Sequence, residues 1–349
     1  MRNLKKITSA VIVIALITIL QSCSKKEDKP NYNADKAKLT LTIDSATVLY
    51  SSTAEGNKPG QYAVGAKADL KTAIDLAAGI KTGNTFTQQQ VNNAQANLNR
   101  VVASFKTKLI QEVSAANLVA QWKFDGSADD ATANKHNGML KSGIIGPGNA
   151  PVDGNTLPKL IADRFGRANM AYDFNNGAYI EVPYDMSLNP KEFTISLWIK
   201  RHNTYSDNYI MSLNRWNGFK FQLQSNNFLF LTIHADNGYH DVDDNPGIVP
   251  LETWTQVSVS YTNGTMKFYI NGAMVKSAAV TGVPITLPTP VNLTIGQQLP
   301  KSLITTDQSS DYAYYGGSFF NGSMDDLRFY NRALTDAEVL SIYTIESTL

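Results

Sequence analysis

Cysteine is almost absent. Cys23 is the only one in 349 residues, so no disulfide can form within the chain, and the thiol needs another explanation. Charged residues are also sparse, at 17%. Lys and Arg number 31 against 30 Asp and Glu, a balance that excludes the basic footprint of a nucleic-acid-binding surface. The four histidines, at 136, 202, 234 and 240, have no metalloenzyme spacing, and neither a nucleophile elbow nor a phosphate loop is found. What remains is a chain with 43% hydrophobic residues, enough for an ordinary globular core under a weakly charged surface. Its length exceeds one average domain, so two are expected.

Arg2, Lys5 and Lys6 precede an apolar run over residues 10–20. That run is too short to span a bilayer comfortably and suits a secretory signal peptide over residues 1–22. It ends in Leu20-Gln21-Ser22-Cys23, which resembles the lipobox of bacterial lipoproteins. The resemblance implies lipidation of Cys23 and anchoring by several acyl chains, more durable than one. Removing the three N-terminal cations leaves 28 basic against 30 acidic residues. Lys26-Glu27-Asp28 behind the cysteine is similar to the signal that sends Bacteroidetes lipoproteins to the outer face of the outer membrane. The expected location is therefore the cell surface, with residues 23–33 as a solvated tether.

Residues 34–113 read as helical. Leu39, Ile43, Ala46 and Tyr50 recur at helical spacing, as do Ala66, Leu70, Ile74 and Ala77. Thr87 with Gln90 forms a capping-box pattern ahead of Val91, Ala94, Leu98, Val101 and Phe105. Three antiparallel helices are expected. The unit resembles the FIVAR-type three-helix modules found beside carbohydrate-active domains, which implies a spacer.

From about residue 117 the pattern changes to short alternating apolar and polar runs, separated by Gly, Asn, Asp and Pro. Such runs indicate an antiparallel sandwich or barrel. Ile195, Leu197 and Ile199 share one strand face, with Trp198 on the other. Asn263-Gly264 and Asn271-Gly272 suit type I′ hairpin turns. Thr335-Asp336-Ala337-Glu338 caps a short helix carrying Val339, Leu340 and Tyr343.

Several of these segments carry a resemblance. Trp122-Lys123-Phe124-Asp125-Gly126, Ala171-Tyr172-Asp173-Phe174, Tyr179-Ile180-Glu181-Val182-Pro183, Phe193-Thr194-Ile195-Ser196-Leu197-Trp198-Ile199, Phe268-Tyr269-Ile270-Asn271-Gly272 and Met324-Asp325-Asp326-Leu327-Arg328-Phe329-Tyr330 follow in order. Together they resemble the laminin-G-like jelly rolls of the concanavalin A-like lectin/glucanase group. The resemblance implies a mainly β fold, a concanavalin A-like jelly-roll sandwich over residues 117–349.

Fold does not settle function. The group's glucanases carry paired acids, commonly Glu-x-Asp-x-x-Glu on one strand, and that pattern is absent. Glu181, Glu192, Glu252 and Glu338 fall in structural segments or beside turns, and Asp241, Asp243 and Asp244 read as a solvated loop. A non-catalytic carbohydrate-binding module is expected, with a protein-binding adhesin as the alternative and, behind it, a glycoside hydrolase whose atypical acid pair would come from Asp241, Asp243 and Asp244. Sugars are held by aromatic platforms flanked by polar groups. The candidates are Tyr205, Tyr209, Arg215, Trp216, Tyr239, His240, Tyr312, Tyr314 and Tyr315, foremost Trp216 in its polar setting. The resemblance further implies a structural Ca²⁺, held by Asp125, Asp325 and the carbonyl of Gly177, binding the first strand to the last.

Overall fold

The computed structural model describes residues 32–145, 152–204, 207–245, 247–314 and 319–348. Cys23 and its surroundings lie outside them. Among the described residues, no helix is long and apolar enough to cross a membrane.

Three helices open the described chain: α1 (Ala37–Ser52), α2 (Ala66–Thr82) and α3 (Gln88–Lys106). Their facing stripes of Leu39, Ile43, Ala46, Leu70, Ile74, Ala77, Val91, Leu98 and Phe105 are buried in one cluster. Each full-sized apolar side chain there contributes about 2 kcal/mol. Both halves of the Thr87/Gln90 capping box form, and Phe105 stacks on Tyr62 at 4.0 Å.

The rest is a sandwich of two antiparallel sheets. Its strands are β1 (Leu118–Trp122), β2 (Met139–Lys141), β3 (Lys159–Ile161), β4 (Ala171–Phe174), β5 (Tyr179–Val182), β6 (Phe193–Arg201), β7 (Asn208–Leu213) and β8 (Phe219–Leu223). They continue with β9 (Leu229–Ala235), β10 (Gly238–Asp243), β11 (Thr255–Thr262), β12 (Gly264–Ile270), β13 (Ala273–Val280), β14 (Leu293–Ile295) and β15 (Gly322–Tyr330). The eight-stranded sheet runs β13-β12-β11-β6-β15-β4-β3, with β1 also paired to β15. The seven-stranded sheet runs β10-β9-β8-β7-β14-β5-β2.

Alternation decides which side chains meet between the sheets. Ile195, Leu197 and Ile199 from one sheet and Phe219, Phe221, Leu231 and Ile233 from the other join a single core. The two hairpins expected to share a turn type differ. Asn271 and Gly272 have φ of 50° and 74°, as type I′ requires, whereas in the other pair only Gly264 lies at positive φ, so that turn is not type I′.

A last helix, α4 (Asp336–Glu346), begins with the Thr335/Glu338 capping box and lies on the outer face of the eight-stranded sheet. Val339 and Ile342 pack there with Tyr269, Tyr330 and Leu334, and Tyr343 stacks on Trp198 at 5.7 Å. This cover explains why outward residues of the sheet such as Ser196, Gln256 and Ser258 are buried. They answer one another: Gln256 Nε2 donates to Ser196 Oγ at 2.8 Å and to Ser258 Oγ at 2.6 Å. The helical module meets the same helix, where Gln111 N donates to Ser341 Oγ at 2.8 Å.

Candidate functional site

The outer face of the seven-stranded sheet, which α4 does not cover, carries the candidate site, although Ser212, Gln222 and Thr232 on it are buried. Lys220 pairs across to Thr232, and Thr232 to Asp241, so these three form an outward row over β8, β9 and β10. A second row holds Tyr209, Gln222, Phe230 and Asp243. His234 and Tyr239 form a third pair, their rings stacked at 4.1 Å.

Trp216 reaches this face from a single 3₁₀ turn, Arg215–Asn217, between β7 and β8. Asn214 and Arg215 both have positive φ, 54° and 50°, a costly conformation for residues with side chains. The turn is held by its own bonds: Arg215 N donates to Ser212 Oγ at 3.0 Å, and the guanidinium donates to Gln298 Oε1 at 2.7 Å and Ala313 O at 2.8 Å. It also donates to Asp311 O. The guanidinium carbon stands 4.2 Å from the centre of the Trp216 ring. Gly218 completes the turn, since a Cβ there would collide with the Leu213 carbonyl.

Trp216, Lys220, Thr232, Tyr239 and Asp241 line a cavity of about 330 Å³. Tyr239 is 56% exposed and its hydroxyl donates to Asn217 Oδ1 at 3.3 Å. Thr232 Oγ1 donates to Asp241 Oδ1 at 2.5 Å. The result is two aromatic walls over a floor bearing an ammonium, a hydroxyl and a carboxylate. Stacking against sugar C–H faces with polar groups beneath is the chemistry such a floor can offer. Larger cavities, about 660 and 480 Å³, lie along the α2–α3 groove. They are lined mainly by Ala, Leu, Ile, Phe and exposed amides and lack facing aromatic walls, so they suit this chemistry less well.

The structure divides the sequence-based candidates. Trp216 and Tyr239 come together at the cavity. Tyr209 lies in β7 and is buried. Arg215 is 1% exposed, so it supports Trp216 from behind and offers no guanidinium to solvent; burial lowers its pKa. His240 falls on the opposite strand face from Tyr239 by alternation and bonds Asn237 Oδ1 at 2.8 Å. Tyr312 packs against the core edge and Tyr314 is buried. Tyr205 and Tyr315 lie outside the described residues. Lys220 and Thr232 were missed, although alternation along Phe219-Lys220-Phe221 and Leu231-Thr232-Ile233 places both outward.

The expected calcium ligands do not converge. Asp325 sits one residue beyond Met324, which pairs with Tyr172 near the start of β4, whereas Gly177 follows the far end of that strand, about 10 Å away along the strand alone. The Gly177 carbonyl instead packs so closely on Gly143 that no Cβ would fit there. Asp125 is exposed, and Asp325, 2% exposed, is paired with Arg164. Arg164 also reaches Asp326 at 2.8 Å and donates to the Glu346 carbonyl from Nε and Nη2 at 3.0 and 2.8 Å. A guanidinium thus joins the middle of β15 to the end of α4, and the three named donors do not fit Ca²⁺. Among the described residues, no group of three or more acidic, His or Cys side chains is placed to hold a metal.

The acids are likewise dispersed. Glu181 accepts from Tyr179 and Asn292, each at 2.8 Å, and Glu192 from Thr262 at 2.6 Å. Glu252 faces His202 at 2.8 Å, and Glu338 pairs with Arg332 at 2.6 Å. Asp243 stands 3.5 Å from Lys276. Asp244, expected in a solvated loop, is fully buried, with Oδ1 accepting from Leu229 N at 2.7 Å. Glu346, passed over in the sequence, is buried among Trp198, Arg164 and Arg328.

Comparison with known proteins agrees with this architecture. Residues 174–340 match the Laminin_G_3 family of the concanavalin A-like lectin/glucanases superfamily. An 81-residue stretch is 35% identical to a gellan lyase from a Bacillus species, covering 23% of this chain and only 3% of that protein. Similar solved structures include domain 4 of AbnA, a GH43 extracellular arabinanase from Geobacillus stearothermophilus in complex with arabinotriose. It is 21% identical, covers 65% of this chain and 98% of that one, and has a TM-score of 0.48. Another is the binding domain of Paraclostridial Mosquitocidal Protein 1, 18% identical over 65% of this chain and 52% of that one, with a TM-score of 0.45. Residues 174–340 of this chain form a concanavalin A-like lectin/glucanase domain of the Laminin_G_3 family.

Proposed function

We propose that the protein is a non-catalytic glycan-capturing lipoprotein of the cell surface, and that it binds carbohydrate in a cavity on the outer face of its seven-stranded sheet. The observation that carries this is the cavity of about 330 Å³ in which Trp216 and Tyr239 flank Lys220, Thr232 and Asp241. Membership of residues 174–340 in a lectin/glucanase superfamily and the stretch shared with a gellan lyase support it. Among the described residues, Asp241 is the one carboxylate lining the cavity, whereas glycoside hydrolysis uses two flanking the scissile bond. That favours binding over cleavage.

The soluble chain from Ser24, applied to a glycan array, should bind selected oligosaccharides. Trp216→Ala should lower affinity at least tenfold without lowering the melting temperature by more than a few degrees. A blank array, or binding indifferent to Trp216 and Tyr239, would overturn the reading. The anchoring part stands on Cys23 and the preceding Leu20-Gln21-Ser22. Cys23→Ala should leave unprocessed precursor or release the protein from the membrane fraction; normal processing and partitioning of that variant would refute it.

A further inference from the structure

Lys220 is the least explained charge in the cavity. It is the second residue of β8 and stands between Ser212 and Thr232 in the outward row. Its Nζ stands 5.1 Å from the Phe230 ring centre, 5.7 Å from Tyr209 and 5.8 Å from Trp216. Three ring faces stabilise an ammonium by their quadrupoles, yet they cannot replace hydrogen-bond acceptors. Among the described residues, no carboxylate lies within ion-pairing distance of Lys220 and no acceptor takes its protons. Asp241 is the acid nearest in the row, but Thr232 stands between them and donates to Asp241 Oδ1. Burial lowers the pKa of Lys220, while Asp241 and Asp207 hold it up. A half-buried ammonium without a partner, lining an open cavity, is poised for an anion.

The cavity around it is shaped for a sugar ring. Trp216 and Tyr239 line it with aromatic surface, and Asp241 accepts hydroxyl protons but would repel a second anion. One negative group at the Lys220 end and neutral hydroxyls at the Asp241 end satisfy both charges. A sugar bearing a single carboxylate has that polarity, whereas a neutral sugar leaves the ammonium without a counter-charge and a densely sulfated one meets Asp241. Resting on the carbohydrate reading above, we infer that the site selects carboxylated sugars, a uronic or sialic acid residue, with Lys220 Nζ receiving the carboxylate and Asp241 the hydroxyls.

The test uses the soluble chain from Ser24 with galacturonate, glucuronate and mannuronate trisaccharides and with sialyllactose. Each is compared by calorimetric titration with its carboxyl-reduced counterpart, which differs only in the charge. At least one acidic probe should bind tenfold or more tightly than its reduced form, and the preference should weaken with salt. Lys220→Met, close in shape, should abolish the preference, and Lys220→Arg should keep part of it; melting curves confirm that both variants fold. Equal binding of acidic and reduced probes, or a preference that survives Lys220→Met, overturns the inference and leaves the carbohydrate reading intact. If none of the probes binds at millimolar concentration, the inference falls. The carbohydrate reading falls separately, if the glycan array is blank as well or if binding is indifferent to Trp216 and Tyr239.

Discussion

The indole N–H of Trp198 donates to Oε2 of Glu346 at 2.9 Å, joining residues 148 apart in sequence. Glu346 takes a second bond from Arg328 Nε at 2.7 Å, and its backbone carbonyl takes two from Arg164. Burial pushes this carboxyl upward, and Arg328 opposes the push. Removing such a buried acid leaves its cation and donor stranded, which typically costs about 3–5 kcal/mol. Glu346→Ala should therefore lose stability on that scale in urea titration, with a change in Trp fluorescence as Trp198 loses its partner. A loss under about 1 kcal/mol would mean that α4 is held by its apolar contacts alone.

Asp244 gives a pH dependence with a definite sign. Burial raises its carboxyl from 3.8 to about 6, so the folded state holds this proton more tightly than the unfolded state. Its contribution to stability is fully present below about pH 4 and is lost as pH rises through 6, about 2–3 kcal/mol in all. Asp325, raised by burial and by Asp326 to about 8 with Arg164 opposing, extends the same slope upward. Asp244→Asn preserves shape and the acceptor for Leu229. It should flatten the decline between pH 4 and 6 and exceed the wild type in stability at pH 8, as urea titrations at pH 4, 6 and 8 will show. An unchanged slope would mean the carboxyl is solvated.

The strand and helix pattern was legible because alternation and caps are local. Ile195, Leu197 and Ile199 turn inward and Trp198 outward as their spacing requires, and both capping boxes close. What covers Trp198 was not legible, since Glu346 and Tyr343 lie far along the chain and no local rule links them. Arg215, expected among the sugar-binding side chains beside Trp216, turns its guanidinium inward to backbone carbonyls brought from residues 311 and 313. Lys220 was readable from its strand phase but was overlooked because single lysines in strands are ordinary.

Arg164 does the mechanical task first expected of a cation, linking Asp325 and Asp326 of β15 to the end of α4. Arg164→Ala should leave Asp325, Asp326 and the Glu346 carbonyl without their shared donor and cost roughly 3 kcal/mol, with greater protease sensitivity near the C-terminus. Because Asp125, Gly177 and Asp325 do not converge, wild-type melting curves in Ca²⁺ and in chelator should coincide. A rise of several degrees in Ca²⁺ would point to a donor set other than these three.

Arg215 should act on sugar binding without touching sugar. It does not line the cavity. Its guanidinium holds the carbonyls of Asp311 and Ala313 and backs the Trp216 ring at 4.2 Å, while its own backbone sits at positive φ. Arg215→Met keeps the apolar stem but leaves those carbonyls and Gln298 without their donor, at about 1–3 kcal/mol for each buried group left unsatisfied. Two readouts separate positioning from general destabilisation. Amide exchange at Tyr314, whose N–H donates to Thr305 O at 2.7 Å, should accelerate well beyond that of β6 amides such as Ile195. Glycan affinity should fall with Trp216 loosened, and Arg215→Lys, which keeps the charge but not the planar fork, should recover little of either. If Tyr314 exchange is unchanged while affinity falls as far as in Trp216→Ala, Arg215 contacts the ligand directly and the positioning role is wrong.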